Sequence, residues 1–324
     1  MAPRRPATFA VTNRLPGEAV PMLRAAGEVR VDERETVMPR AELLELVRGV
    51  DAIVSLLHDR IDEEVLEAAG AGLRCVANVA VGYDNVDLEA AARRGVAVTN
   101  TPGVLDDATA DLTMALLLAA SRRVAEGDRL LRAGRPWTWG MGFMLGGDLR
   151  GKLLGIVGLG GIGSRVAARA RAFGMEIAYH SRHPAPREVA GPLGAERMPL
   201  ERLLAEADVL SLHCPLTPET RHLIGGPELA RMKPSAILVN TSRGPVVDEA
   251  ALAEALSAGA IAAAGLDVYE HEPAVEPALL ELENVVLTPH LGSATVETRT
   301  AMAELAARNA IAAVRGEPLP TPVI

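Results

Sequence analysis

The chain has 324 residues, 49% hydrophobic but only 2% aromatic, with a formal net charge of −9. That length suggests two domains whose cores are built mainly from Ala, Leu and Val. The acidic balance argues against a general nucleic-acid or anionic-membrane binder, since both require a basic surface.

The first segment, MAPRRPATFAVTNRL, contains Arg4 and Arg5 but no apolar run of signal-peptide length. Further on, MALLLAA (114–120) is too short to span a bilayer. Cys75 and Cys214 form no CxxC pair, so both thiols are expected reduced, in the core of a cytoplasmic protein. Short apolar runs at 51–57, 73–81 and 95–101 read as buried strands with helical stretches between them. A long helical pattern follows from about Asp106 to Arg123, and 137–148 is the least regular part, a loop or arm. A second strand series then runs through 152–160, 175–181, 208–216, 235–244, 261–269 and 284–290, and a last helix ends near Gly316. Strands alternating with helices predict an α/β fold with parallel sheets.

The stretch GIVGLGGIGSRVAARA places Gly158, Gly160 and Gly163 in a GxGxxG pattern between an apolar strand and an amphipathic helix. In that setting the pattern is a dinucleotide-binding turn. The first glycine permits the turn, the second admits the pyrophosphate, and the third lets helix and strand pack closely. The next strand ends in YHSRHP, where such units carry an acid for the ribose 2′-hydroxyl. Ser181, Arg182 and His183 stand there instead. A planar guanidinium suits a 2′-phosphate, so NADP(H) is the expected cofactor, with NAD(H) possible.

Ligands of open α/β sheets lie beyond the carboxyl ends of the strands. Three chemically useful types fall there: Arg243 after AILVNTS, the carboxylates of DVYEHEP, and His290 at the end of NVVLTPH. An Arg clamps a carboxylate and polarises a carbonyl, a His moves a proton near neutral pH, and a carboxylate orients that His. Beside a nicotinamide this is equipment for reducing a 2-keto acid. Spacing alone leaves Glu270 and Glu272 as competing partners of the His. His213 also ends a strand, in a structural or cofactor-lining place. His180, His183, His222 and His271 share no metal-ligand spacing, and no metal site is expected.

The motifs VGYDNVD, TNTPGVLDDATADLT, GLGGIG, LHCPLTPETRHLI, ILVNTSRGPVVDEAAL, GLDVYEHEP and NVVLTPHLGSAT resemble the D-isomer-specific 2-hydroxyacid dehydrogenase family, over about Asp51 to Pro320. Within it the chain most resembles glyoxylate and hydroxypyruvate reductases. The resemblance implies Arg243, Glu272 (the Glu before Pro273) and His290 as catalytic residues. Substrate would meet Leu57 and the backbone of Ala80, Val81 and Gly82 as well as Arg243. Cofactor contacts would extend to Thr109, to Leu159, Gly161 and Ile162 of the glycine loop, and to Cys214, Pro215, Thr220, Thr241, Ser242, Asp267 and Gly292.

The fold so implied has two Rossmann-like units, a flavodoxin-like substrate domain and a dinucleotide-binding domain. The substrate domain is discontinuous, 1–101 with 290–324, around a dinucleotide-binding domain at 102–289. The expected reaction is hydride transfer from NADPH to glyoxylate or hydroxypyruvate, giving a D-2-hydroxy acid, in a homodimer with neither nucleic-acid nor membrane partners. Phe143 falls near an arm tip where some relatives carry Trp. The alternatives are an NAD-linked relative such as a short 3-phosphoglycerate dehydrogenase, and a corepressor-like binding module.

Overall fold

The computed structural model describes residues 5–324. They form two compact units, one running to Leu105 and resuming at Ala294–Ile324, the other Asp106–Ser293. The boundaries expected at 101/102 and 289/290 thus lie at 105/106 and 293/294, in the same connecting segments.

The first unit alternates β1 (Ala7–Val11), α1 (Ala19–Ala26), β2 (Gly27–Val31), α2 (Arg40–Leu46), β3 (Ala52–Ser55), α3 (Glu63–Ala69), β4 (Cys75–Asn78), α4 (Leu88–Arg93) and β5 (Ala97–Thr99). The sheet is parallel in the order β2-β1-β3-β4-β5, the flavodoxin-like arrangement. AIVS and CVAN are buried at every position because helices cover both faces of a parallel sheet. The edge strand GEVRV instead alternates between half-buried and exposed residues. Helix starts are written locally: Asp62 and Asp87 accept from the N–H groups of Val65 and Ala90, three residues on.

The second unit opens with α5 (Asp106–Ser121) and α6 (Val124–Arg132), then β6 (Leu153–Val157), α7 (Gly161–Ala172), β7 (Glu176–His180), α8 (Arg187–Leu193), β8 (Glu196–Arg197) and α9 (Leu200–Glu206). It continues with β9 (Val209–Leu212), α10 (Gly226–Leu229), β10 (Ile237–Asn240), α11 (Glu249–Ser257), β11 (Ala263–Leu266), α12 (Pro277–Leu280) and β12 (Val285–Leu287). The chain then re-enters the first unit as α13 (Val296–Arg315). Seven parallel strands lie in the order β12-β11-β10-β9-β6-β7-β8, so the order reverses between β6 and β9. That reversal is where a doubly wound sheet opens a crevice for a ligand. Arg165 and Arg169 of α7 pair with Asp106, Asp107 and Asp111 of α5 and lock the helix after the glycine turn to its neighbour.

Residues 137–148 contain no helix or strand, as expected. Trp137 stacks on Phe143 with centroids 6.1 Å apart, while Trp139 and Met141 stand exposed. Among the described residues no helix is long and apolar enough to cross a membrane.

Candidate active site

The glycine turn follows β6 at the switch point. Gly158 has φ 97°, and a Cβ there would lie 2.8 Å from the His213 carbonyl oxygen. A Cβ on Gly163 would lie 2.2 Å from the Gly158 carbonyl oxygen, so the first turn of α7 sits directly on the turn before it. Gly160 is different: its Cβ direction meets nothing within 4 Å. Gly160 is also the residue before α7 and offers no side chain to its first N–H groups. Those donors have no side-chain cap and the space beside Gly160 is open, a cradle that fits a pyrophosphate. Leu159 is buried beneath the turn, and Gly161 abuts the Asp106 carboxylate, which Arg165 neutralises at 2.9 Å.

Beyond β7 the exposed loop of Ser181, Arg182 and His183 has the Ser181 hydroxyl donating to the His183 carbonyl. Arg197, in register with Tyr179 on β8, donates through one nitrogen to the carbonyls of Ser181 (2.9 Å) and Arg182 (3.0 Å). Across the crevice, Cys214 lies against Gly158, and burial pushes its thiol up to about 11. The Thr220 hydroxyl donates to the Pro215 carbonyl at 2.7 Å, closing the turn that holds both. His213 meets the Ser211 hydroxyl at 2.8 Å through Nε2, and burial pushes it down to about 3, so the ring is neutral.

The end of β10 is shaped by Asn240. Its Oδ1 accepts from Ser242 N (3.0 Å) and Oγ (2.8 Å), and its Nδ2 donates to the Arg243 carbonyl at 3.0 Å. Thr241 turns the other way, its hydroxyl 2.8 Å from that of Thr113 on α5. Thr113 already donates to the Thr109 carbonyl, so Thr241 is the donor between them.

The ends of β11 and β12 are joined by Asp267, which is 1% exposed. Its carboxylate accepts from Thr288 Oγ1 (2.6 Å), Leu291 N (2.7 Å) and Gly292 N (2.8 Å). Burial raises its pKa more than these bonds lower it. Thr109 packs beside it, 3.3 Å from the Cβ direction of Gly292. Thr109, Asp267 and Gly292 therefore form one cluster, although they are distant in sequence.

His290, at φ 54°, places Nδ1 2.8 Å from Glu272 Oε2. Glu272 Oε1 accepts from Tyr269 N at 3.0 Å. Burial pushes the Glu272 carboxyl up, but the hydrogen bond and charge of His290 outweigh it and hold the group below its usual range. Glu272 is thus the carboxylate on His290, whereas Glu270 pairs with His222 at 2.6 Å.

In the first unit, the carbonyls of Ala80, Val81 and Gly82 are taken by Thr101 N, Asn100 Nδ2 and Asn78 Nδ2. Leu57, after β3, is 37% exposed. Among the described residues no group of three or more His, Cys, Asp or Glu is placed to hold a metal ion. A cleft of about 510 Å³, lined in part by Ser121, Lys152, Ile237 and Asn284, lies at the opposite, amino-terminal edge of the seven-stranded sheet. Strand direction places the chemistry at the other edge. Sequence reasoning gave no role to Arg197, which lies outside the quoted motifs, or to Asn240 and Tyr269, which lie inside them; all three make contacts that involve main-chain groups.

Residues 114–292 match the family described as D-isomer specific 2-hydroxyacid dehydrogenase, NAD binding domain. A glyoxylate reductase of Thermococcus litoralis is 51% identical over 318 residues, 97% of this chain and 95% of that protein. The crystal structure of the TT0316 protein from Thermus thermophilus superposes with a TM-score of 0.91 at 50% identity, covering 98% of this chain and 100% of that one. An NADPH-dependent glyoxylate/hydroxypyruvate reductase from Sinorhizobium meliloti, solved with NADP and malonate, gives 0.85 at 37% identity over 98% and 97%. With a glycine cradle at the switch point and a His–Glu pair at the strand ends, the chain belongs to the D-isomer specific 2-hydroxyacid dehydrogenase family and is an NAD(P)-dependent oxidoreductase.

Proposed function

We propose that the protein reduces small 2-keto acids, glyoxylate and hydroxypyruvate, to D-2-hydroxy acids with NADPH as the preferred cofactor. The observation that carries this reading is the hydrogen-bonded His290–Glu272 pair on the strand ends that follow the glycine cradle. A bound nicotinamide dinucleotide supplies the hydride for C2 of the keto acid. Glu272 accepts from Nδ1 of His290 and so leaves Nε2 to deliver a proton to the developing alkoxide. Arg243 clamps the substrate carboxylate and polarises the keto oxygen. The carbonyls of 80–82 are already engaged, so the N–H side of that turn is what a carboxylate meets.

The NADPH preference rests on the acid-free loop after β7. The Arg182 guanidinium gives a 2′-phosphate donors where a bare ribose loses its acceptor, and the Ser181 hydroxyl would join it by turning away from the His183 carbonyl. The relatives named as glyoxylate reductases support the choice of keto acid, and the Sinorhizobium meliloti enzyme solved with NADP supports the cofactor. A homodimer formed through the exposed aromatic arm completes the reading.

Initial rates with NADPH and NADH, each with glyoxylate and with hydroxypyruvate, test it. A higher kcat/KM with NADPH is expected. An NADH preference would remove the phosphate role of Arg182, and inactivity with both acids would overturn the substrate assignment.

A further inference from the structure

We propose that Glu249 is a positioning residue for the proton-donating pair, acting through the loop that carries Glu272; this rests on the reading of His290–Glu272 given above. Glu249 is the first residue of α11 and only 5% exposed. Its Oε1 accepts from Glu270 N at 2.6 Å and its Oε2 from Glu276 N at 3.4 Å. The two oxygens of one carboxylate therefore hold both ends of the segment from 270 to 276. Within it a bridge joins His271 to Ala274, and Glu272 stands between them.

Two further contacts make the hold directional. The Glu270 side chain is drawn to His222 at 2.6 Å, leaving its N–H for Glu249. The turn that leads into α11 also touches this loop: a Cβ on Gly244, the neighbour of Arg243, would lie 1.8 Å from the Tyr269 carbonyl carbon. Only backbone fits there, and Tyr269 N is the group that fixes Glu272 Oε1. Glu249 thus ties the Glu272 loop to the start of α11, which the turn at Gly244–Val246 connects to Arg243.

A packing role alone would be met by an apolar side chain at less desolvation cost. Burial, reinforced by the neighbouring Glu270 and Glu276 charges, raises the Glu249 carboxyl above its usual range. An acid kept in so unfavourable a place is accounted for by the N–H groups it orients.

The test compares Glu249→Ala and Glu249→Gln with Glu272→Gln in the whole chain. The readouts are kcat and KM for glyoxylate, the pH profile of kcat/KM, dinucleotide affinity by calorimetry, and melting temperature. A displaced His–Glu pair is expected to lower kcat roughly ten- to hundredfold in Glu249→Ala, with little change in KM or dinucleotide affinity. The alkaline limb of the profile should move in the same direction as in Glu272→Gln. Glu249→Gln keeps one acceptor and should fall between Ala and wild type; if the Ala variant does not fold, the Gln variant decides. A lower melting temperature with kcat and the alkaline limb unchanged would overturn the proposal. Should Glu272→Gln itself behave as wild type, the reading of the pair fails and this inference with it. An impaired Glu272→Gln beside normal Glu249 variants removes only this inference.

Discussion

Asp267 holds His290 in place without touching its ring. The His290 main-chain N–H donates to the Asp267 carbonyl at 2.9 Å, and the Asp267 carboxylate ties down Thr288, Leu291 and Gly292 on either side. A non-glycine residue at φ 54° is costly and persists only where its surroundings enforce it. Asp267→Ala leaves buried donors without an acceptor and should cost about 1–3 kcal/mol of stability. It should also lower kcat by loosening His290. Asp267→Asn keeps one acceptor and should lose less of both. Urea unfolding and steady-state rates on the two variants check that order.

His290→Ala should cut turnover by about two to four orders of magnitude, the usual contribution of a positioned general acid. Calorimetry should show dinucleotide affinity nearly unchanged, because the glycine cradle is built from other residues. Turnover close to wild type would take His290 out of the reaction.

The glycine turn makes a paired prediction. Gly160→Ala adds a methyl group that meets no protein atom within 4 Å, so the melting temperature should hold while dinucleotide affinity falls. Gly163→Ala drives a methyl group against the Gly158 carbonyl at 2.2 Å and should lower both. Equal thermal stability for the two variants would contradict this division of labour.

Arg182→Ala should weaken NADP+ far more than NAD+, by about tenfold or more in the ratio of affinities, since a charge-assisted bond to the phosphate is lost. Arg197→Met should reduce the same ratio less, because Arg197 holds the carbonyls of Ser181 and Arg182. Equal losses for both dinucleotides would remove the phosphate role.

His213 gives a pH signature. Burial depresses its folded pKa to about 3 from an ordinary 6.5, so the unfolded chain binds more protons between those values. Its contribution to stability is therefore present above about pH 6.5 and drains away as pH falls toward 3. Replacing His213 with Leu should flatten the pH dependence of the urea midpoint across that window by about one proton. An unchanged slope would show that the ring charges freely in the folded protein.

Much of this architecture is legible in the sequence because parallel strands covered on both faces are written as continuous apolar runs. β3, β4, β6, β9 and β10 each fall inside an expected run, which overshoots at its carboxyl end where the loops with Val81, Ser242 or His213 begin. Two of the four edge strands, β2 and β8, escape such reading. GEVRV is half exposed, and Glu196–Arg197 is only two residues long. β1 is apolar and buried, yet ATFAV lies in a segment weighed only as a leader. In the site, motif residues such as His290 can be found by position, but the rivalry of Glu270 and Glu272 is settled by geometry. Glu249, Asn240 and Arg197 act on backbone groups, and no spacing rule reports such contacts.

The final helix has a consequence for biogenesis. α13 packs on α1, β3 and β4, and Val323 N donates to the Val98 carbonyl at 2.7 Å. The sheet of the first unit therefore leaves the ribosome with one face only partly covered, by α1. It waits, while the whole contiguous second unit is translated, for the helix that covers it. The unit made second can finish folding first, and the one begun first must finish last. A chain stalled before residue 296 would carry a finished nucleotide-binding sheet beside an unfinished, aggregation-prone one.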